Sequence, residues 1–167
     1  MAAPVNDAIP AEEFVTLSEQ NYKAFPKIRS LIESTARNAL KILYTRIAAH
    51  PTTAKLLPNE EIRNHAAGAQ FTHWINLYSG KFDANAKARS ENIGHVHARV
   101  GLSPTFYIGG YALVLEELIK TALNQGIHTR LNGRQLGNVL GTLVKTALLD
   151  MEAALSAYFA EEEKNRA

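Results

Sequence analysis

The 167-residue chain contains no cysteine. That removes disulfides, thiolate metal sites and cysteine nucleophiles together and fits a reducing compartment, with cytoplasm the plain expectation. The chain also lacks any stretch near the roughly 18 consecutive apolar residues that a membrane span requires. Its N-terminus, MAAPVNDAIPAEEF, has no basic start followed by an apolar run, so no export signal is expected there. Charge of one sign is missing as well: 18 Lys and Arg face 16 Asp and Glu, for a net +2. The pI near 8.9 reflects that near-balance rather than a basic block, so nucleic acid is not an expected partner. Period-2 segments, low-complexity runs and internal repeats are absent. So are HExxH spacing, a glycine-rich phosphate loop and a nucleophile elbow. Carboxylates cluster as Glu12-Glu13, Glu60-Glu61, Glu116-Glu117 and Glu161 to Glu163, at helix ends or exposed faces where solvation explains them. These absences predict a soluble domain that is not an enzyme.

What is present is helix-forming sequence. With 46% hydrophobic residues, the length suits one globular domain with its own core. Residues 1 to 10 read as a loose arm, and Ala11 to Glu19 as a short leading helix. From Lys23 to His50 apolar residues recur at helical spacing until His50-Pro51 interrupts them, which predicts two consecutive helices or one bent helix. Thr52 to Leu57 reads as a short turn of helix, Glu60 to Tyr78 as a long amphipathic helix, Asp83 to Val100 and Pro104 to Asn124 as the next two, and Gly126 as a stop. After the loop HTRLNG, Arg134 to about Glu163 carries no proline and no stop signal, with Leu136, Leu140, Leu143, Ala147, Met151, Ala154 and Tyr158 spaced by threes and fours. At about 1.5 Å per residue that is roughly 45 Å of helix, long for so small a core.

The most informative stretch is IGHVHARVGLSPTFYIGGY, residues 93 to 111. On a wheel of about 3.6 residues per turn, Ile93, His97 and Val100 project from one face, while His95 lies on the far side and is expected to be solvated. Gly101 can take the left-handed conformation that closes a helix, Ser103 is a good N-cap, and Pro104 is tolerated at the first position of the next helix. An imidazole held one turn before a fixed bend is either a core residue with a satisfied ring or a ligand to something bound against that face.

This stretch resembles the proximal segment of the haem-binding globin domain of globin-coupled sensors. Ile93, Gly94, His97, Ala98, Arg99, Val100, Gly101, Leu102, Pro104, Tyr107 and Tyr111 fall on the family's pattern. A second segment, ILYTRIAAHPTTAKLLP at residues 42 to 58, is similar to the family's distal segment, with Leu43 in place of its usual aromatic and Tyr44 as the distal tyrosine. With the Trp74 region and the last helix, the resemblance covers the chain from about residue 20 onward. It implies an all-α globin fold of the globin-coupled sensor type, lacking the short D helix, with residues 1–20 an arm and 21–167 the sensor domain. It implies haem b (iron protoporphyrin IX) as cofactor, His97 as axial iron ligand, and Val100, Tyr107 and Tyr111 beside the cofactor. The second ring nitrogen of His97 would be held by the Ile93 carbonyl or the Tyr107 hydroxyl; the alternative for Tyr107 is a core aromatic whose hydroxyl reaches the surface. Tyr44 would donate a hydrogen bond to bound O2, with CO and NO as further ligands. Where many relatives carry a polar donor or a bulky Leu beside the ligand, this chain places Ala66 or Ala67, which predicts a roomier distal pocket. His65 is a weaker candidate for the sixth side of the iron.

Two features speak of partners. Gly109-Gly110 in mid-helix suggests close backbone approach to another element. The final helix keeps an apolar stripe (Met151, Leu155, Tyr158, Phe159) past the length a globin core covers. By resemblance, the last two helices form a homodimer, and residues 134–167 lead to a C-terminal output domain, a diguanylate cyclase or a methyl-accepting chemotaxis domain, the first favoured by the short arm. The rival readings are a stand-alone globin handling oxygen or nitric oxide, and a haem-free helical interaction domain.

Overall fold

The computed structural model describes residues 9–167, so most of the expected arm lies outside the described residues. Among these, eight helices and no strand occur: α1 (Ala11–Val15), α2 (Glu19–Ala49), α3 (Pro51–Ala54), α4 (Glu60–Leu77), α5 (Ala84–Val100), α6 (Pro104–Asn124), α7 (Ile127–Arg130) and α8 (Gly133–Arg166). No further helix separates α3 from α4. No described helix is long and apolar enough to cross a membrane.

The starts and stops follow from side chains able to satisfy orphan amides. Ser18 and Asn21 form a capping box at α2, and Asn132 and Gln135 another at α8. Asn59 and Asp83 accept from the amides of Ile62 and Ala86. Ser103 caps α6 ahead of Pro104, as its sequence predicts. Gly101 and Gly126 adopt the left-handed conformation, at φ 75° and 78°, which only glycine takes without steric cost.

Two expectations are corrected, and between them one open alternative is decided in favour of a single helix. The leading helix does not reach Glu19: it ends at Val15, Thr16 takes φ 49°, and Ser18 opens a new helix. The stretch before His50 is one helix of 31 residues that runs through Pro26. The loop HTRLNG is partly helical, its His-Thr-Arg belonging to the single turn of α7.

The core is built where α2 meets α4, α6 and α8, around Ile28, Ile32, Leu40, Trp74, Tyr78, Leu118 and Leu143. α5 takes a different partner and lies along α8. The contact is made by a buried stripe of small residues, Ala86, Ser90, Gly94 and Ala98, spaced by fours. At Gly94 the approach is so close that a Cβ would stand 1.8 Å from the Ala154 carbonyl oxygen. The expectation for Gly109-Gly110 fails by the same measure. A Cβ on Gly109 would meet nothing within 4 Å, and one on Gly110 would make only ordinary contact, 3.6 Å from the Leu43 side chain.

Because α4 packs on α2 and α5 on α8, these two helices share no packed face, and the space between them stays open.

The glycines therefore divide sharply. Gly94→Ala forces α5 off α8 and is expected to destabilise the protein by about 3 kcal/mol. Gly68→Ala, in mid-helix with open space around it, is expected to stabilise by about 0.5–1 kcal/mol through backbone entropy alone. Urea denaturation of the two variants beside wild type measures both signs.

Candidate functional site

Between the C-terminal half of α4 and the N-terminal half of α5 lies a cleft of about 500 Å³, walled by Ala69, Thr72 and His73 on one side and Arg89, Asn92 and Ile93 on the other. Each wall continues as apolar side chains that no other helix covers. Val96 and Val100 extend the α5 wall on the wheel sector of Ile93, at 42% and 53% exposure, and Ile62, on the wheel sector of Ala69 and His73, is 41% exposed. Ala66 stands two turns before His73 and so belongs to this wall, whereas Ala67 stands two turns before Trp74 on the face packed against α2.

His97 sits between the cleft wall and the small-residue stripe that meets α8. It is half-buried, and its Nδ1 is enclosed with no hydrogen-bond partner. Burial alone pulls its pKa from 6.5 down to about 4, so the ring is neutral at physiological pH and keeps a nitrogen lone pair. The ring lies edge-on to Tyr107, centroids 4.9 Å apart. Neither expected acceptor engages it: the Ile93 carbonyl does not, and the Tyr107 hydroxyl turns instead to Tyr111, 3.0 Å away.

Tyr44, on α2, is partly buried and packs against the core. Burial alone pushes its pKa up to about 12, so its phenol is a neutral O–H donor. Tyr107 and Tyr111 are both buried on α6, which rules out a surface-reaching hydroxyl for Tyr107.

Two side-chain groups escape sequence reasoning. Asp150, on α8 and fully buried, gathers Ser90 of α5 at 2.5 Å, His73 of α4 at 2.9 Å and the Tyr111 hydroxyl of α6. His95 keeps 30% of its side chain exposed but also has a partner: its Nδ1 lies 3.0 Å from the Glu161 carboxylate, which Arg99 also approaches at 3.7 Å. Only spacing within one helix is legible in sequence, and both groups join residues 39 or more positions apart. His65 is exposed on the side of α4 away from Trp74.

Among the described residues no three His, Cys, Asp or Glu side chains are grouped to hold a metal. A lone imidazole holds iron well when the other ligands come from a macrocycle. The protoglobin family model matches residues 11–164, from the first helix to nearly the end of the last. The chain belongs to the protoglobin family. No curated protein matches it. Protoglobin membership implies a haem-binding globin domain, one that binds a ligand rather than transforming a substrate. The fit is carried by His97, a neutral imidazole one turn beyond Ile93 at the end of a cleft lined by Ala69, Ala88 and Ile93 together with Thr72, His73, Asn76, Arg89 and Asn92; neither His97 nor Tyr44 itself lines that cleft.

The depressed pKa of His97 has a consequence in haem-free protein. The unfolded chain, with the ring near 6.5, binds the proton before the folded one, near 4. Stability that depends on a neutral ring is complete above about pH 6.5 and is lost progressively as pH falls toward about 4. Thermal melts across that window are expected to show a falling Tm in wild type and a flatter profile in His97→Gln.

Proposed function

We propose that this protoglobin domain is a haem-b oxygen sensor. His97 would hold the iron, and Tyr44 would offer its hydroxyl to the gas the iron binds. The observation that carries this reading is His97 itself, neutral, unpartnered at Nδ1 and set beside apolar walls that no helix covers. When bound, haem supplies a ferrous iron that takes O2, CO or NO. This chain's own residues supply the rest. His97 contributes an uncharged donor from a helix fixed to α8. Ile93, Val96 and Val100 give the porphyrin an apolar wall that excludes water. Tyr44 offers a proton it does not release at neutral pH, suited to the partial negative charge of bound oxygen. Ala66, rather than Ala67, is the small residue beside the ligand and leaves room there.

A dimer is the second part of the reading, carried by the outer face of α8. Gly137, Gly141, Val144, Leu148, Met151 and Leu155 recur at alternating steps of four and three, a stripe whose Gly137, Gly141 and Leu148 are exposed and whose Met151 and Leu155 also lean on the core. Leu148 is 50% exposed, and Phe159, which continues the stripe, 53%. α6 carries a parallel stripe through Ile108, Ala112, Leu115, Ile119 and Leu123, with Ile108 and Leu123 exposed. Two such stripes on neighbouring helices suit a four-helix interface with a second copy. Ligation then biases the arrangement of the paired α8 helices, which pass the signal to a C-terminal output domain, a diguanylate cyclase in the first instance.

Absorption spectra of the haem-supplied protein test the cofactor. Wild type and His65→Ala are expected to show five-coordinate ferrous haem that binds O2 and CO, and His97→Ala to lose haem or its normal ligation. Three colourless proteins would leave a haem-free helical module. Sedimentation tests the dimer: Leu148→Glu is expected to give a monomer with unchanged haem spectra, whereas a monomeric wild type favours a stand-alone globin.

A further inference from the structure

A carboxylate with no exposure in the middle of a helix is costly to desolvate, and an apolar residue would fill the same volume at less cost. Asp150 is such a residue. It ends a polar line on the inner face of α8 that begins with Thr142 and Thr146, spaced by fours and both buried. Its partners come from three other helices: Ser90 from α5, His73 from α4 and Tyr111 from α6. Two of these arms end where they start. The third continues, because the Tyr111 hydroxyl meets the Tyr107 hydroxyl at 3.0 Å and the Tyr107 ring lies against His97.

The direction of that third arm follows from proton counting. A carboxylate only accepts, so Tyr111 spends its one proton on Asp150. The Tyr111 oxygen must then accept, and Tyr107 spends its proton on Tyr111. The Tyr107 oxygen is left able only to accept from anything beside it. An imidazole that gives a lone pair to iron carries its proton on the other nitrogen, and what that N–H needs is an acceptor.

We infer that Asp150 is a positioning residue for the His97 imidazole: by fixing the direction of the Tyr111–Tyr107 hydroxyl chain, it keeps the Tyr107 oxygen, packed against the ring but not hydrogen-bonded to it in this structure, as the acceptor to which the ring N–H turns when His97 holds iron. The inference rests on His97 being the iron ligand. Asn in place of Asp150 offers a donor as well as an acceptor, which lets both hydroxyls reverse. Phe in place of Tyr111 cuts the chain and leaves the Ser90 and His73 arms intact.

The test compares wild type with Asp150→Asn, Tyr111→Phe and Ser90→Ala. In haem-free protein, NMR of the histidine rings reads the His97 environment directly, with its signal assigned through His97→Gln. In ferrous haem protein, resonance Raman reads the iron–imidazole stretch and gas titration the oxygen affinity. Asp150→Asn and Tyr111→Phe are expected to move the His97 ring signals, shift the stretch and change affinity on the order of 2- to 30-fold. Ser90→Ala, on an arm that does not lead to His97, is expected to lower Tm while leaving the ring signals, stretch and affinity as in wild type. Equal effects from all three substitutions, or no movement of the His97 signals in folded Tyr111→Phe, would overturn the inference. If Asp150→Asn does not fold, Tyr111→Phe and Ser90→Ala decide between them. A wild type that takes up no haem defeats the sensor reading, and the ring signals of the haem-free variants still report whether the hydroxyl chain reaches His97.

Discussion

The contact of α5 on α8 determines where everything else in this domain stands. Small side chains at Ala86, Ser90, Gly94 and Ala98 let the two helix backbones meet, and at Gly94 no side chain larger than hydrogen fits against Ala154. Once α5 is committed to α8, and α4 to α2, the two helices cannot also close on each other. The cleft is thus a consequence of which faces are small. His97, one position before the last residue of the stripe, is carried to the edge of the same contact, close enough to be enclosed at Nδ1 and far enough round the helix to stand at the apolar wall.

Signals that act within one helix were legible in advance. Ser103, Pro104 and Gly101 mark the bend after His97 because caps and left-handed stops depend only on local backbone chemistry. His97 itself was legible through an apolar face and a motif. Asp150 was not. In LLDMEAAL an acid followed by another acid reads as a solvated edge, and nothing local says that α4, α5 and α6 each send it a donor. His95 was legible only in part for the related reason that its wheel position predicts exposure, while the length of α8 brings Glu161 back along α5 to meet it. Gly109 and Gly110 show the same limit in reverse. A glycine's cost is visible in sequence and its neighbour is not, so the close approach was expected on α6 and occurs on α5.

α8 serves two surfaces with one helix. Its inner face carries Thr142, Thr146 and Asp150, and its outer side exposes Leu148 and Phe159. The buried face remains mostly apolar, with Val139, Leu143, Ala147, Leu149, Ala153 and Ala154 around that polar line. Each line stands out from the packing around it: the inner one leads through Tyr111 to Tyr107, against the His97 ring, and the outer one leaves Leu148 exposed.

Features that do not help the monomer fold also gather in one place. Val96, Val100 and Ile62 expose apolar surface, His97 leaves a nitrogen unsatisfied, and Asp150 takes a carboxylate out of water. Apart from this region and the exposed apolar residues of α1, α6 and α8, the chain agrees with itself, with caps on its long helices and a core of ordinary apolar residues. Conflicts between local chemistry and folding concentrate where function requires them. Here they lie along one path, from the open wall of α5 through Tyr107 and Tyr111 to the middle of α8. A planar apolar group against Val96 and Val100 would cover the exposed surface, and a metal on the other ring nitrogen of His97 would leave the enclosed Nδ1 as an N–H in need of an acceptor. Asp150 is the buried charge on that path, and ligand binding does not relieve it directly. What remains for it is orientation, the one task in which a buried charge does better than the leucine that would pack in its place.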